Sequence, residues 1–261
     1  MTATDSRRFV GRTAVVTGGS RGIGAAVATR LAAEGAAVVV GYRGNRAAAD
    51  KVVAAIEAHG GRALAHGADV TDPGQIEALV ERAVAEFGRL DVLASCAGIE
   101  HFGALENLTP ADFDHVFAVN TRGQLFAAQS AAARMDAGGR IVLTSSVSAS
   151  RAVFAHTLYA ASKAAVEAMV LNLSAELGQR GITINAIAPG GTDTDMAAEN
   201  SAGYQHPLLR GEVSPRQWLS THGALGRLAR PDEIAAGYAY LACDDAAYMT
   251  GRTLRVDGGF F

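Results

Sequence analysis

Tyr159 and Lys163 lie four positions apart in a segment predicted to be helical, and Ser146 stands thirteen positions before Tyr159 at the end of a predicted strand. Residues at i and i+4 share one face of a helix, so the phenol and the ammonium can point into one pocket. A free phenol has a pKa of about 10 and exchanges protons poorly at neutral pH. Because a nearby cation lowers such a pKa by roughly one to three units, Lys163 is expected to make Tyr159 a useful acid and base. With Ser146 holding an oxygen, the set predicts proton transfer at a carbon–oxygen bond.

A glycine-rich turn runs from Thr17 to Gly24, between an apolar strand and a helix-like stretch that stops at Gly35. Glycines in that context let backbone N–H groups approach a pyrophosphate, and the amino end of the helix favours its negative charge. The spacing is a G-x-x-x-G-x-G variant; an ordinary glycine-rich βα turn is the alternative. The residues expected to contact a dinucleotide are Gly18, Ser20, Arg21, Gly22, Ile23 and Gly24.

Composition and charge restrict the class of protein. The chain has 261 residues, of which 49% are hydrophobic and 19% charged, enough for a sizeable core and unlike a disordered chain. A net charge of −3 with scattered arginines argues against nucleic acid as a partner. Cys96 and Cys243 have no metal-ligand spacing and fit buried thiols in a reducing compartment. Residues 1–9 lack an apolar signal segment and no run reaches eighteen apolar residues, so we expect a soluble, cytoplasmic protein without metal or membrane partner.

Strands and helices alternate along the chain. Strands are expected at 14–17, 37–40, 62–68, 90–95, 140–144, 183–187 and 253–256, and helices near 23–34, 46–58, 74–87, 110–135, 158–178 and 231–243. The strands are continuous apolar runs, typical of a sheet covered on both faces. The pattern predicts an α/β fold: one Rossmann-like, doubly wound domain over residues 1–261, with a parallel seven-stranded sheet and its ligand crevice at the carboxyl ends of the strands. The irregular stretch 193–225 is expected to be a substrate lid.

These motifs, in this order, resemble the short-chain dehydrogenase/reductase family from about Arg12 to Gly259. The resemblance rests on the Thr17–Gly24 turn, Asp69-Val70, Cys96-Ala97-Gly98, Asn120, Ser146, Tyr159-Ala160-Ala161-Ser162-Lys163 and Pro189-Gly190. The chain departs from the family at Cys96, where an asparagine is usual, which leaves the local hydrogen bonding open. The resemblance implies an NAD(P)-dependent oxidoreductase.

The resemblance also implies a role for each matching residue. Tyr159 would be the acid and base, and Lys163 would tune it and bind the nicotinamide ribose. Ser146 would orient a carbonyl, and Asn120 would anchor a water that links Lys163 to solvent. Thr194 matches the position that holds the nicotinamide amide. The remaining cofactor contacts that the resemblance implies are Asp69, Val70, Cys96, Ala97, Gly98, Pro189, Gly190 and Thr192.

The end of the second strand bears on the choice of cofactor. An acidic side chain there binds the 2′-hydroxyl of NAD, whereas a positive one accommodates the 2′-phosphate of NADP. The chain continues after Val40 with Gly41-Tyr42-Arg43-Gly44-Asn45 and has no Asp or Glu there. Arg43, beside Tyr42, and Arg21 in the glycine turn are both placed to meet a phosphate. NADP(H) is therefore favoured, while NAD(H) stays open because Arg21 also occurs in NAD-using relatives.

Substrate identity rests on a narrower likeness. The segments 120–126, 138–140, 189–191 and 194–196 resemble the fungal hydroxynaphthalene reductases, which reduce polycyclic aromatic ketones with NADPH. Ala197 corresponds to a stacking tyrosine of those enzymes, and His222 corresponds to a tryptophan, so the resemblance does not imply their aromatic sandwich. Other aromatic residues could either line the substrate site or be ordinary lid and core residues: Phe102, Phe154, Tyr204 and Trp218.

Three functional hypotheses follow. The first is an NADPH-dependent ketoreductase that acts on a ring or polyketide-like carbonyl. The second is a 3-oxoacyl-carrier-protein reductase or an NAD-dependent secondary-alcohol dehydrogenase, although Arg122, Arg134 and Arg151 form no obvious basic patch for a carrier protein. The third, a catalytically silent nucleotide-binding scaffold, is disfavoured because the four catalytic positions are all retained. The helix Leu158–Leu177 is apolar on more than one side, and relatives are usually homotetramers or homodimers, so a homo-oligomer is expected.

Overall fold

Seven strands form a single parallel sheet in the computed structural model of the protein, which describes residues 7–206, 208, 214, 217, 220–221 and 223–260. The sheet order is β3-β2-β1-β4-β5-β6-β7, and every neighbouring pair is parallel. The predicted doubly wound α/β fold is thereby confirmed. The strands are β1 (Thr13–Thr17), β2 (Ala37–Tyr42), β3 (Arg62–Gly67), β4 (Val92–Ser95), β5 (Arg140–Thr144), β6 (Thr183–Pro189) and β7 (Thr253–Val256).

Helices connect the strands and cover both faces of the sheet. They are α1 (Gly22–Ala33), α2 (Arg46–Ala58), α3 (Pro73–Phe87), α4 (Pro110–Phe117), α5 (Gly123–Arg134), α6 (Thr157–Gly178), α7 (Asp195–Glu199), α8 (Ser201–Tyr204) and α9 (Pro231–Ala242). Local sequence explains several starts. Asp72 caps α3, whose first residue is Pro73, and the Thr109 and Asp112 side chains form a capping box at α4. Within the described residues, no helix is long and apolar enough to cross a membrane.

The sheet divides the core into two layers. Along β1, Ala14 and Val16 pack with α1, α2 and α9, whereas Val15 packs with α3, α5 and α6. Successive side chains of a strand point to opposite faces, which explains why β1 is buried along its whole length and why its three central residues are all apolar. The strand order reverses between β1 and β4, and the carboxyl ends of strands on either side of such a point frame a crevice for ligands.

The single helix expected over 110–135 is wrong, because a π-helical turn at Ala118–Arg122 separates α4 from α5. The turn places Asn120 in the interior, where its Oδ1 accepts from the Ile99 N–H at 2.9 Å and its Nδ2 donates to the Ile99 carbonyl at 2.9 Å. Nδ2 also donates to the Ser162 hydroxyl at 3.1 Å. These tertiary hydrogen bonds support the extra residue in the turn, and such π turns are frequent at functional sites.

The expected lid is described only in part. It begins with α7 and α8, while Pro207, Pro215, Trp218 and His222 lie outside the described residues. The lid therefore stays a prediction.

Candidate active site

The glycine turn joins β1 to α1 through backbone contacts that exclude side chains. Gly18 has a φ of +64°, and a Cβ there would lie 2.8 Å from the Cα of Ala97. A Cβ on Gly24 would lie 2.2 Å from the carbonyl oxygen of Gly18. Both distances are below any real contact, so these positions require glycine. The turn leaves the amino end of α1 open to the crevice, where its free N–H groups favour an anion.

Tyr159 and Lys163 lie on one face of α6, as the spacing predicts. The Lys163 ammonium donates to the Thr144 carbonyl at 3.0 Å and lies 5.5 Å from the centre of the Tyr159 ring. Ser146 lies close enough to the Tyr159 phenol to lower its pKa, and the Ser146 hydroxyl accepts from the Ser148 N–H at 3.2 Å. The end of β5 and the first turns of α6 therefore bring the phenol, the hydroxyl and the ammonium together.

Asn120 supports this group from behind. It is fully buried, and its hydrogen bonds fix the backbone of Ile99 at the carboxyl end of β4. A Cβ on Gly98 would lie 3.3 Å from Asn120 Oδ1 and 3.5 Å from Lys163 Nζ, so both polar groups approach the same glycine. The water that Asn120 is expected to anchor stays a prediction.

The charges of the site differ from the expectation. Burial raises the pKa of Tyr159 far above its ordinary value; the Glu100 carboxylate adds to this rise, and the Ser146 hydrogen bond opposes it. Lys163, whose charge is directed at the Thr144 carbonyl, does not lower the pKa of Tyr159 as predicted. Burial also lowers the pKa of Lys163 to about 8, although the charge of the Glu100 carboxylate opposes this change. The burial of Tyr159, which disfavours the charged phenolate, therefore has a larger effect on its pKa than the Lys163 cation.

Cys96 is a protonated thiol rather than a nucleophile. Burial raises its pKa to about 12, although hydrogen bonds with Tyr238 and Thr144 and the charge of Lys163 oppose the rise. Its backbone N–H donates to the Thr17 carbonyl at 3.2 Å, and the next N–H, of Ala97, donates to the Thr17 hydroxyl at 3.2 Å. The loop after β4 is therefore tied to β1 through its backbone.

The two arginines that were expected at a phosphate lie in different settings. Arg21 forms exposed ion pairs with Glu199 at 3.3 Å and Asp195 at 3.9 Å, both on α7. Arg43 is exposed after β2, and its charge helps the hydrogen bonds from Thr71 to hold the pKa of Asp69 below its usual range. Arg43 therefore has its charge near the third strand, while Arg21 is already engaged with carboxylates.

One cavity of about 560 Å³ brings the predicted residues together at the carboxyl edge of the sheet. Asn120 is the exception, since it is buried behind the cavity wall. The described residues contain no cluster of three His, Cys, Asp or Glu side chains that could hold a metal ion. The predicted residues that line the cavity are Gly18, Ser20, Arg21, Gly22, Ile23, Gly24, Tyr42, Arg43, Asp69, Val70, Cys96, Ala97, Gly98, Ser146, Tyr159, Lys163, Pro189, Gly190, Thr192 and Thr194.

A buried polar cluster beside Tyr159 was missed from the sequence. Glu100 hydrogen-bonds both His156 and Tyr204, and Glu100 and Tyr204 line the same cavity. Phe102 meets Tyr204 edge-on at 4.9 Å, whereas Phe154 is half-exposed and packs on His206. Two signals were present in the sequence. Glu100 directly follows the apolar segment Cys96–Ile99 after β4, and His156 precedes Tyr159 by three positions.

Comparisons with known proteins cover nearly the whole chain. Residues 18–261 match the family described as enoyl-(acyl carrier protein) reductase. A versicolorin reductase of Emericella nidulans is 42% identical, with 100% of both chains covered. A probable tetrahydroxynaphthalene reductase of Zymoseptoria tritici is 40% identical, with 97% of this chain and 96% of the relative covered. The structure of a short-chain dehydrogenase from Burkholderia cenocepacia in complex with NADP superposes with a TM-score of 0.86 and 40% identity, covering 97% of this chain and 98% of that one.

Proposed function

The chain belongs to the short-chain dehydrogenase/reductase family, and we propose that it is an NADPH-dependent ketoreductase acting on a ring or polyketide-like ketone. The observation that carries this proposal is that Tyr159, Ser146 and the glycine turn line one cavity. The likeness to a versicolorin reductase and to a probable tetrahydroxynaphthalene reductase supports the substrate class. The NADP in the Burkholderia cenocepacia structure supports the cofactor.

The residues present fit a dinucleotide. The close backbone packing at Gly18 and Gly24 holds the turn at the amino end of α1, whose N–H groups can meet a pyrophosphate. The cavity continues from there past Asp69 and Gly98 to Tyr159, so one extended ligand can reach both ends. Thr192 and Thr194, which follow β6, are the proposed partners of the nicotinamide end. When bound, NADPH supplies the hydride that reduces the carbonyl carbon.

The chain's own residues supply the proton. Ser146 holds the carbonyl oxygen of the substrate, and the O–H bond of Tyr159 breaks as its proton passes to that oxygen. Because its pKa is raised, Tyr159 stays protonated over the physiological range and has a proton to donate. Lys163, whose ammonium donates to the Thr144 carbonyl, binds the cofactor ribose. Asn120 keeps the Gly98–Ile99 backbone in place between them and anchors the water through which the proton returns.

A carrier-protein substrate is less well supported than a free ketone. Arg134 is paired with Glu81 at 2.7 Å, Arg122 donates to the Thr71 carbonyl at 3.2 Å, and Arg151 donates to the Phe260 carbonyl at 3.5 Å. These three arginines lie on separate parts of the surface and form no common docking site. Apolar residues that line the cavity, Val147, Val153 and Met196, instead suit a hydrophobic ring.

The proposal includes a homodimer or homotetramer. Leu171 on α6 is 59% exposed, and Phe113 on α4, which stacks on Phe117, is 47% exposed. The burial of such apolar surface between copies of the chain supports assembly. Sedimentation analysis measures the number of copies.

The function is tested by Tyr159→Phe with a panel of ring ketones, 3-oxoacyl thioesters and NADPH. Only the hydroxyl is removed, so we expect NADPH binding to be retained and ketone turnover to fall by about 10²–10⁴-fold. Tyr248→Phe is the matched control, because Tyr248 is fully exposed and does not line the cavity. Turnover by Tyr159→Phe above a tenth of the wild-type value, with chemistry rate-limiting, would overturn the assignment.

A further inference from the structure

Glu100 is a buried carboxylate next to the proposed acid and base, and the proposed reaction does not use it. Its side chain is 3% exposed. One carboxylate oxygen hydrogen-bonds Nε2 of His156, and the other accepts from the Tyr204 hydroxyl at 2.5 Å. A buried carboxylate is costly unless it is compensated by such bonds. Three segments therefore meet at the Glu100 carboxylate: the loop after β4, the residues before α6 and the end of α8.

His156 connects this carboxylate to Tyr159. Its ring stacks on Tyr159 at a centroid distance of 4.5 Å and on Phe102 at 4.4 Å, with interplanar angles of 13° and 7°. The residue before it, Ala155, has a φ of 56°, which residues other than glycine rarely adopt. The Ala155 carbonyl accepts from the Gly103 N–H at 2.7 Å. A strained backbone conformation at Ala155 persists only when the surrounding contacts hold it, so these contacts also fix the position of His156.

The hydrogen bonds indicate the charge of the pair. Nε2 of His156 faces Glu100, whereas Nδ1 is buried and has no hydrogen-bond partner among the described residues. A proton on Nδ1 would therefore be a buried donor without an acceptor, which is costly. A neutral imidazole that donates from Nε2 fits this geometry, so the pair retains the negative charge of Glu100.

We propose that Glu100 and His156 form a positioning pair for Tyr159, in which Glu100 fixes the imidazole, the imidazole orients the phenol ring, and the buried carboxylate places a negative charge beside the phenol. The proposal rests on Tyr159 being the acid and base of the proposed function. It adds a reason why the site favours reduction, because alcohol oxidation requires the phenolate.

The charged and titratable groups around Tyr159 come from several elements. Lys163 lies on α6 itself, with the Cys96 thiol near its ammonium, and Ser146 follows β5. Glu100 follows β4, His156 precedes α6, and Tyr204 ends α8. Among these groups Glu100 supplies the negative charge, and it raises the pKa of Tyr159 in addition to the effect of burial. Removing that charge should therefore ease formation of the phenolate.

The first test is Glu100→Gln, which keeps the shape of the side chain and an oxygen to accept from His156. Because oxidation requires the phenolate, we expect the acidic limb of its pH profile, where the rate rises with pH, to move to lower pH by about one unit or more. Glu106→Gln is the matched control, since Glu106 is an exposed carboxylate in the same loop. An oxidation profile that is the same in wild type, Glu100→Gln and Glu106→Gln would overturn the proposal.

A second measurement does not depend on turnover. The tyrosinate absorbance of Tyr159 is isolated by subtracting the titration of a Tyr159→Phe variant, in the wild-type and in the Glu100→Gln background. We expect the phenolate to form at lower pH in the Glu100→Gln background; equal midpoints would refute the proposal. If the wild type reduces no ketone, the proposed function fails, while this titration still decides whether Glu100 controls the phenol.

The stacking is tested in the Glu100→Gln background, where no carboxylate is left unpaired. His156→Phe keeps a ring against Tyr159, and His156→Ala removes it. We expect the alanine variant to lose about tenfold or more in kcat relative to the phenylalanine variant, with little change in KM for the ketone. Equal kcat values for the two variants, with both proteins folded by thermal melting, would contradict the positioning role.

Discussion

Arg43 offers a direct test of cofactor choice. If its guanidinium meets the 2′-phosphate of NADPH, Arg43→Ala removes a charge-assisted hydrogen bond and leaves NADH binding unchanged. Such bonds contribute about 1.5–3 kcal/mol. Arg43 is exposed after β2, so solvent and salt screen its charge, and we take the lower end of this range. At about 1.4 kcal/mol per decade, that end corresponds to a loss of about tenfold in kcat/KM for NADPH.

Arg21 should contribute less than Arg43. Its guanidinium is 57% exposed and already pairs with Glu199 at 3.3 Å and Asp195 at 3.9 Å. A 2′-phosphate would have to compete with these carboxylates for the same charge. The preference for NADPH is therefore expected to depend mainly on Arg43.

The assay is the ratio of kcat/KM for NADPH to that for NADH, measured with one good ketone. We expect a wild-type ratio of about 10 or more, and a ratio about tenfold lower in Arg43→Ala through the NADPH value alone. Arg46→Ala is the matched control, since Arg46 starts α2, is 76% exposed and pairs with Asp50 at 3.4 Å. A wild-type ratio that favours NADH, or equal effects of the two alanine variants, would refute the reasoning.

Two further predictions concern titrating groups. Burial lowers the pKa of Lys163 to about 8, so NADPH affinity, measured by fluorescence titration, should fall as the pH rises through that value. The Lys163→Arg variant should bind NADPH more weakly, and its affinity should not fall over this pH range. A wild-type affinity that does not change with pH would contradict the prediction. Glu34→Gln should lower the free energy of unfolding by about 1–3 kcal/mol at neutral pH, because the buried Glu34 accepts from Arg8 at 2.6 and 2.9 Å and pairs with Arg30. Burial raises the pKa of Glu34, but the arginines lower it below its usual value, so this stability is present above the usual glutamate pKa and is lost as the pH falls through the folded value. Urea unfolding of wild type and Glu34→Gln should therefore converge in acid, and a constant difference would contradict the ion pair.

The sheet could be predicted from sequence because its signals are local. Each strand is an apolar run bounded by a turn, and the alternation with helices leaves few topologies for a parallel sheet. The strand ends moved by only a few residues, as β2 extends to Tyr42 and β6 to Pro189. The residues after those ends were correctly expected at one crevice, since parallel strands end on the same edge.

The π turn at Ala118–Arg122 could not be predicted in the same way. The sequence through 110–135 has an unbroken helical pattern, and the turn is stabilised by partners that lie elsewhere in the chain. Asn120 bonds the backbone of Ile99 and the hydroxyl of Ser162, which are 21 and 42 positions away. A local pattern carries no information about such pairs, although a polar asparagine in the middle of a buried helical stretch marks the place.

The direction in which the Tyr159 pKa is shifted could not be predicted from a local sequence pattern either. The i, i+4 spacing fixes which face Lys163 shares with Tyr159, but it does not fix where the ammonium donates, and here it donates to the Thr144 carbonyl. Nor does the spacing show how deeply the phenol is buried or that Glu100, 59 positions earlier, lies beside it. The motifs thus indicate Tyr159 as the proposed acid and base, whereas the protonation state of Tyr159 depends on groups outside every motif. Because Glu100 reaches the phenol through the stacked ring of His156, the pair ties the orientation of Tyr159 to its charge, and one substitution at Glu100 should change both.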